Sequence, residues 1–348
     1  MLNDLPNDTV SRKKHIYPIS DQLYHYLKKY ERITPIPIVY LDLLRYHSSV
    51  SVYDAQGNDT LWESVIYSPH DFQELNNILK QIYAILKTDG EMSVMEHLRV
   101  DRIDYCPFGN SKPFRVKIIN QLNDNYDYFY VKQPDASRVY GLELEDLLSP
   151  NRINYLVDYG TLIEEHIAGI PGDQFVSKYI NTQSVNEIRL AKEFIKFNER
   201  CFVRLLGDMR SYNFVIDITP DFDIEQYRIR AIDFDQQSYE GRRTIYLPQY
   251  FKENNPYVDF CMKHLNEKTV RQYQREERTL IGRRLKLSRY RIKELIDIMS
   301  EDVLSTSDKI AQIKLELNNY YQTNKFDRCK SMGDIVKLNL KLSLTRQD

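Results

Sequence analysis

Cysteine is sparse: four in 348 residues, and Cys106, Cys201, Cys261 and Cys329 stand far apart with no paired spacing. That excludes a disulfide framework and implies a reducing compartment. Long apolar runs are missing too. No segment reaches the ~18 consecutive apolar residues of a membrane-spanning helix, and residues 1–8 lack the basic start and apolar stretch of a secretory signal. The expectation is a soluble, cytoplasmic protein. An excess of charge of either sign is also absent. With a net charge of −2, bulk electrostatics point to neither nucleic acid nor a membrane surface. At 348 residues the chain nevertheless exceeds what a single core usually holds, so two lobes or domains are expected.

What the chain does have is a concentration of oxygen-bearing residues between Gly207 and Asp235. Asp208 and Asn213 stand five residues apart, and an isolated carboxylate, Asp233, follows within Ile232-Asp233-Phe234-Asp235. The apolar Phe214, Val215 and Ile216 read as a short strand starting beside Asn213. The polar segment from Asp217 to Gln226 turns the chain, and Tyr227 to Ile232 alternates like a returning strand. Such a hairpin delivers Asp233 beside Asn213. Asp208 precedes the first strand, in a loop whose irregular backbone can aim its carboxylate at a bound hydroxyl. Magnesium takes oxygen ligands in tight octahedral geometry, usually one or two protein carboxylates plus nucleotide phosphates. Phosphoryl transfer needs one more oxygen group to orient the attacking hydroxyl. Asp and Asn also favour turns for purely local reasons. The signal therefore lies in the combination with Ile-Asp-Phe at a strand end, not in the spacing alone.

These residues resemble the protein-kinase-like superfamily, in particular its aminoglycoside-phosphotransferase, HipA-type and phosphoinositide-kinase branches. Eukaryotic protein kinases match less well: His-Arg precedes their aspartate where Gly207 precedes Asp208, and Asp235 stands where they have glycine. The resemblance implies an α+β, bilobal fold with a small antiparallel sheet lobe and a larger, mainly helical lobe. It implies ATP and Mg2+ as cofactors, Asp208 as catalytic base, and Asn213 and Asp233 as magnesium ligands. It also implies an upstream lysine on a strand, paired with an acid on a helix. Tyr128 to Lys132 is a β-rich run ending in Val-Lys, and after Pro134 a segment able to form a helix carries Glu143 and Glu145. Lys132 with Glu143 is the expected couple, with Glu145 in reserve. Leu162 to Asp173 is the expected connection between the lobes, where Glu165, His166 and Ile167 meet the adenine. The phosphate-facing loop is reduced to one glycine. Gly109, Asn110 and Ser111 can form such a turn, since Asn tolerates the left-handed conformation and Ser supplies a hydroxyl; an ordinary hairpin turn fits them equally.

Arg210, Arg242 and Arg243 are candidate contacts to an acidic substrate, because guanidinium matches phosphate bidentately. Surface charge near a turn is the competing reading of Arg242 and Arg243. Ser238, Tyr239 and Thr244, in the same segment, are candidate phosphate acceptors. Between Arg271 and Lys293, nine Lys or Arg residues face only Glu276 and Glu277. They read either as a solvated helix face or as a grip for an acidic partner or nucleic acid.

Residues 1–95 are expected to form an accessory extension. Its clearest element is a helix with Ser68 and Asp71 at the cap, apolar Phe72, Leu75, Leu79, Ile82 and Leu86, and Gly90 as stop. Residues 96–165 are expected as the smaller lobe and 166–348 as the larger. In the latter, Ser184 to Glu187 reads as a capping box, and Ile188, Ala191, Ile195, Phe202 and Leu205 form one face leading into Asp208. Helix-patterned residues complete the chain. Three functions fit: a phosphotransferase acting on a protein, lipid or small-molecule hydroxyl, a nucleotide-binding scaffold with little catalysis, and a nucleotidyl transferase on the same fold.

Overall fold

A computed structural model describes residues 14–345 except 55, 89, 159, 181–184 and 222–223. The fold is α+β, and the chain divides into two compact units, each assembled from discontinuous segments. The first comprises the described residues up to Ile19, Leu27–Asp135 and Asn154–His166, and the second Ser20–Tyr26, Ala136–Ile153 and the chain from Ile167 onward. Helix α1 (Asp21–Lys29) contributes residues to both. No described helix is long and apolar enough to cross a membrane.

The first unit is built on a seven-stranded antiparallel sheet. Its strands are β1 (Ser48–Tyr53), β2 (Asp59–Ile66), β3 (Leu98–Tyr105), β4 (Phe114–Asn120), β5 (Tyr126–Lys132), β6 (Tyr155–Asp158) and β7 (Thr161–Glu165), in the order β1-β2-β3-β4-β5-β7-β6. Period-two alternation decides which face is buried: along β4, Phe114, Val116 and Ile118 point into the core while Arg115 and Lys117 do not. Helix α2 (Pro69–Thr88) adds Leu75, Leu79, Ile82 and Leu86 to the same core. Its start is capped by Ser68, whose Oγ accepts from the Asp71 N–H at 3.2 Å and donates to the Asp71 carboxylate at 2.6 Å. Beyond its end Gly90 adopts φ +91° and donates to the Ala84 carbonyl at 3.1 Å. That left-handed reversal is open to glycine without a Cβ penalty. Residues 48–88, expected within an extension, thus supply two strands and a helix of this unit. The apolar face of α2 and Val65 of β2 share the core of β3, β4 and β5, while β1 is an exposed edge strand.

Helix α3 (Ala136–Leu148), expected in the smaller lobe, belongs to the second unit. It is buried almost all round, so the charged side chains it carries require partners. A three-stranded sheet follows, β8 (Ile170–Pro171), β9 (Phe214–Asp221) and β10 (Ile224–Ala231), in the order β10-β9-β8. The helices are α4 (Gly172–Lys178), α5 (Glu187–Arg204), α6 (Asn255–His264), α7 (Glu267–Leu287), α8 (Arg289–Glu301), α9 (Ser307–Tyr321) and α10 (Met332–Thr345). Helix α5 lies at the centre, against α6, α7, α10 and β10. Ser184 falls outside the described residues, and the cap of α5 is Asn186, whose Oδ1 accepts from the Arg189 N–H at 3.1 Å. Ile188, expected on the buried face, is 53% exposed; in the first turn it precedes the point where Leu190, Ala191 and Phe194 meet the core.

Part of the basic run on α7 and α8 is engaged in ion pairs. Arg278 pairs with the buried Glu199 at 2.6 Å and Arg291 with the buried Glu143 at 2.7 Å. Arg271 and Lys293 pair along their own helices with Glu267 and Asp297.

Candidate functional site

Strands β9 and β10 pair in unbroken antiparallel register from Asp221 opposite Ile224 to Phe214 opposite Ala231 at the open end, so Asp217–Asp221 and Ile224–Gln226, expected in the connecting turn, are paired strand instead. One step beyond, the Ile232 N–H donates to the Asn213 carbonyl at 3.0 Å. The ladder therefore brings Asn213 and Asp233 to the same end of the hairpin, as the alternation predicts. A second set of backbone bonds adds Asp208. Helix α5 ends in a left-handed residue, Leu205 at φ +55°. Leu206 then bridges to Gln237, the Gly207 N–H donates to the Gln236 carbonyl at 3.2 Å, and the Ser238 N–H donates to the Leu205 carbonyl at 2.8 Å. The loop carrying Asp208 and the segment following Asp233 lie side by side. Gly207 suits this approach because a Cβ there would stand 3.1 Å from both the Gln236 carbonyl and the Ile245 side chain.

Asp208 sits at φ +57°, a conformation that costs a non-glycine residue of order 1–3 kcal/mol and persists only when surroundings over-determine it. Three bonds do so. Its N–H donates to the Ile245 carbonyl at 3.1 Å, and its carbonyl accepts from the Arg210 N–H at 2.9 Å and from Asn213 Nδ2 at 2.7 Å. The last bond also orients Asn213: with its nitrogen committed, its oxygen is the ligand atom it can offer.

Burial pushes the Asp208 carboxyl up to about 6; Arg210 opposes this, and the charges of Asp233 and Glu253 add to it. Arg210 Nε donates to Asp208 at 3.0 Å and its Nη1 to Glu253 at 2.7 Å. Asp233 is held by Arg138 from α3. Arg138 is 2% exposed, and its Nη1 reaches Asp233 Oδ1 at 2.7 Å and Asp235 Oδ1 at 2.8 Å. The Asp235 N–H donates to Asp233 Oδ1 at 3.0 Å. Asp208, Arg210, Asn213 and Asp233 are thus brought together within the second unit.

The other predicted residues are placed as follows. Lys132 ends β5 opposite Leu162, and its Nζ donates to Glu164 at 2.7 Å, diagonally across the β5–β7 pair. The ring of Tyr130 lies 5.2 Å from the same ammonium. Glu143, fully buried, accepts from Tyr26 Oη at 2.6 Å and twice from Arg291. Glu145 pairs with Arg204 and accepts from Asn151 at 3.0 Å. In the β3–β4 turn, Asn110 Oδ1 accepts from the Lys14 N–H at 3.2 Å, Ser111 is buried, and a Cβ on Gly109 would meet Pro113 at 2.8 Å.

Glu165 is the last paired residue of β7. His166, whose imidazole burial holds below its ordinary pKa, approaches Tyr130 Oη at 3.3 Å, and Ile167 is buried. Arg242 is exposed, whereas Arg243 lies over the Tyr320 ring at 4.7 Å and its N–H donates to Glu316. Ser238 is fully buried, which removes its hydroxyl from the surface that a phosphate acceptor needs.

Arg138 and Glu253 escaped the sequence reading. The composition of α3, with Arg138, Glu143, Glu145 and Asp146 among apolar residues, does not show that it is buried almost all round; only the fold does, and that burial is what requires a counter-charge for Arg138.

No family model matches this chain, and no curated protein matches it. Among solved structures, "Titin kinase and its flanking domains" aligns with a TM-score of 0.27 and 10% sequence identity, covering 74% of this chain and 49% of that one. This chain therefore spans about half the length of that structure.

Proposed function

We propose that the protein is a kinase-like phosphotransferase that uses ATP and Mg2+ to phosphorylate a hydroxyl acceptor. The observation that carries this reading is the convergence of Asp208, Asn213 and Asp233 through a hairpin end and a backbone-bonded loop. Asp208 orients the acceptor hydroxyl and takes its proton; a carboxyl pushed up to about 6 suits a base working near neutral pH. Arg210, bonded to Asp208 and Glu253, fixes that carboxylate and offers positive charge to an acidic acceptor.

Asn213 and Asp233 are the residues that would hold magnesium, and their oxygen chemistry fits it. Arg138 divides one positive charge between two carboxylates, so the trio keeps a net negative charge with which to attract a cation. Magnesium, when bound, neutralises charge on the transferred and leaving phosphates.

Thermal unfolding with and without ATP and Mg2+ tests this reading. A ligand at 100 times its dissociation constant adds about 2.7 kcal/mol, so the native protein is expected to melt higher with both present, and Asp233→Asn to lose the magnesium-dependent part. Well-folded native protein that shows no such shift would overturn the proposal. Release of ADP rather than pyrophosphate separates phosphoryl from nucleotidyl transfer.

A further inference from the structure

Asp235 is the carboxylate of the cluster that the proposed chemistry assigns to neither the metal nor the acceptor. It is 6% exposed, follows Asp233 by two positions, and shares with it a single guanidinium nitrogen, Arg138 Nη1, at 2.8 and 2.7 Å. A buried carboxylate with no ligand to hold is costly unless it balances a charge. The charge it balances is Arg138, whose Nη2 also donates to the Ile232 carbonyl at 3.3 Å. One turn along α3, Gly141 presses against Phe234, where a Cβ would lie 3.0 Å from the Phe234 Cβ. The helix is thus seated tightly on the segment between the two acids, and Arg138 has little room to leave.

We propose that Asp235 is the counter-ion that keeps Arg138 from neutralising Asp233, so that the Arg138–Asp235 pair sets the divalent-cation affinity of the site. This rests on the reading of Asp233 as a metal ligand. A guanidinium 2.7 Å from a carboxylate oxygen competes with any cation for that carboxylate. Asp235 supplies the alternative anion, so Asp233 gives up part of its hold on Arg138 when a metal arrives, without stranding a buried charge. Asp235 and Arg138 are positioning residues on this account, and neither ligates the metal.

Binding of Mn2+ in the presence of ADP, followed by loss of the free-ion paramagnetic resonance signal, provides the test on the full chain. Asp235→Asn removes one of the two carboxylates that share Arg138 Nη1 and is expected to weaken Mn2+ binding by on the order of tenfold, the effect of one neighbouring charge on a carboxylate. Arg138→Gln removes the competitor and is expected to bind Mn2+ more tightly than the native protein. In the double variant the effect of Asp235→Asn should vanish, because its target is gone.

Native affinity in Asp235→Asn, or an undiminished effect of that substitution in the Arg138→Gln background, would overturn the proposal while leaving the metal site intact. Absence of Mn2+ binding to native protein, or binding that survives Asp233→Asn, would overturn both the proposal and the reading beneath it. If Asp235→Asn fails to fold, as judged by its circular dichroism, Arg138→Gln alone decides: equal or weaker Mn2+ binding refutes the competition.

Discussion

Asp208 combines a left-handed backbone, a buried carboxyl and two neighbouring acids, and the combination has a consequence for stability. Its folded pKa lies above the ordinary carboxylate value, so between about pH 4 and pH 6 the native state binds more protons than the unfolded chain. The contribution of this group to stability is complete below about pH 4 and is lost as pH rises through 6, with a magnitude on the order of 3 kcal/mol. Asp208→Asn cannot titrate and should flatten that part of the profile. Urea denaturation at pH 4.5 and pH 7 is expected to show the variant gaining on native protein at the higher pH. A difference that stays constant across the two would remove Asp208 as the source. The same variant should lose phosphoryl transfer by orders of magnitude if Asp208 is the base.

At the level of elements, the position of Asn213 depends on a helix start. Helix α4 begins at Gly172, whose carbonyl accepts from Tyr257 Oη at 2.7 Å. Its α-carbon faces the one-turn 3₁₀ segment Ser211–Asn213. A Cβ there would meet Phe214 Cε2 at 2.5 Å and the Ser211 carbonyl at 2.6 Å. Neither atom belongs to a flexible side-chain end, so Gly172→Ala must displace the turn. Overpacking of this kind costs about 1–3 kcal/mol, and a lower urea midpoint with an unchanged slope is the expected result. Because Asn213 lies in the displaced turn, the magnesium-dependent stabilisation that the proposed function predicts should also fall. A variant with native midpoint and native ligand response would show that the turn is not held from this side.

Across the whole molecule, residues distant in sequence close each unit. Asn339 on α10 donates to the Phe202 and Val203 carbonyls at 2.9 and 3.1 Å, satisfying the last turn of the helix that leads to Asp208. Around it Met332, Ile335, Val336 and Leu340 are buried, so the C-terminal helix is part of the second unit's core rather than a decoration of it. Asn339→Ala leaves those carbonyls without this donor and is expected to lower stability by about 1–3 kcal/mol, measured by thermal unfolding monitored by circular dichroism. The first unit shows the same principle. Its sheet takes β6 and β7 from beyond α3, and the Ile33 to Val157 bridge joins segments far apart in the chain.

Sequence by itself determined what depends on local period and local chemistry. The β9–β10 hairpin with Asn213 and Asp233 at its end, the capped and glycine-stopped α2, and the apolar face of α5 beyond its first turn were all legible there. Alternation and 3.6-residue spacing report which side of an element is buried, whatever buries it. Tertiary structure alone decided the partners. Arg138 meets Asp233 across 95 residues, and Lys132 meets Glu164 through the strand order that sets β7 beside β5. Helix α2 belongs to the first unit because its apolar face needed a core it could not form alone. The partner of a buried charge follows from which elements the topology makes neighbours, and no single element's pattern contains that information.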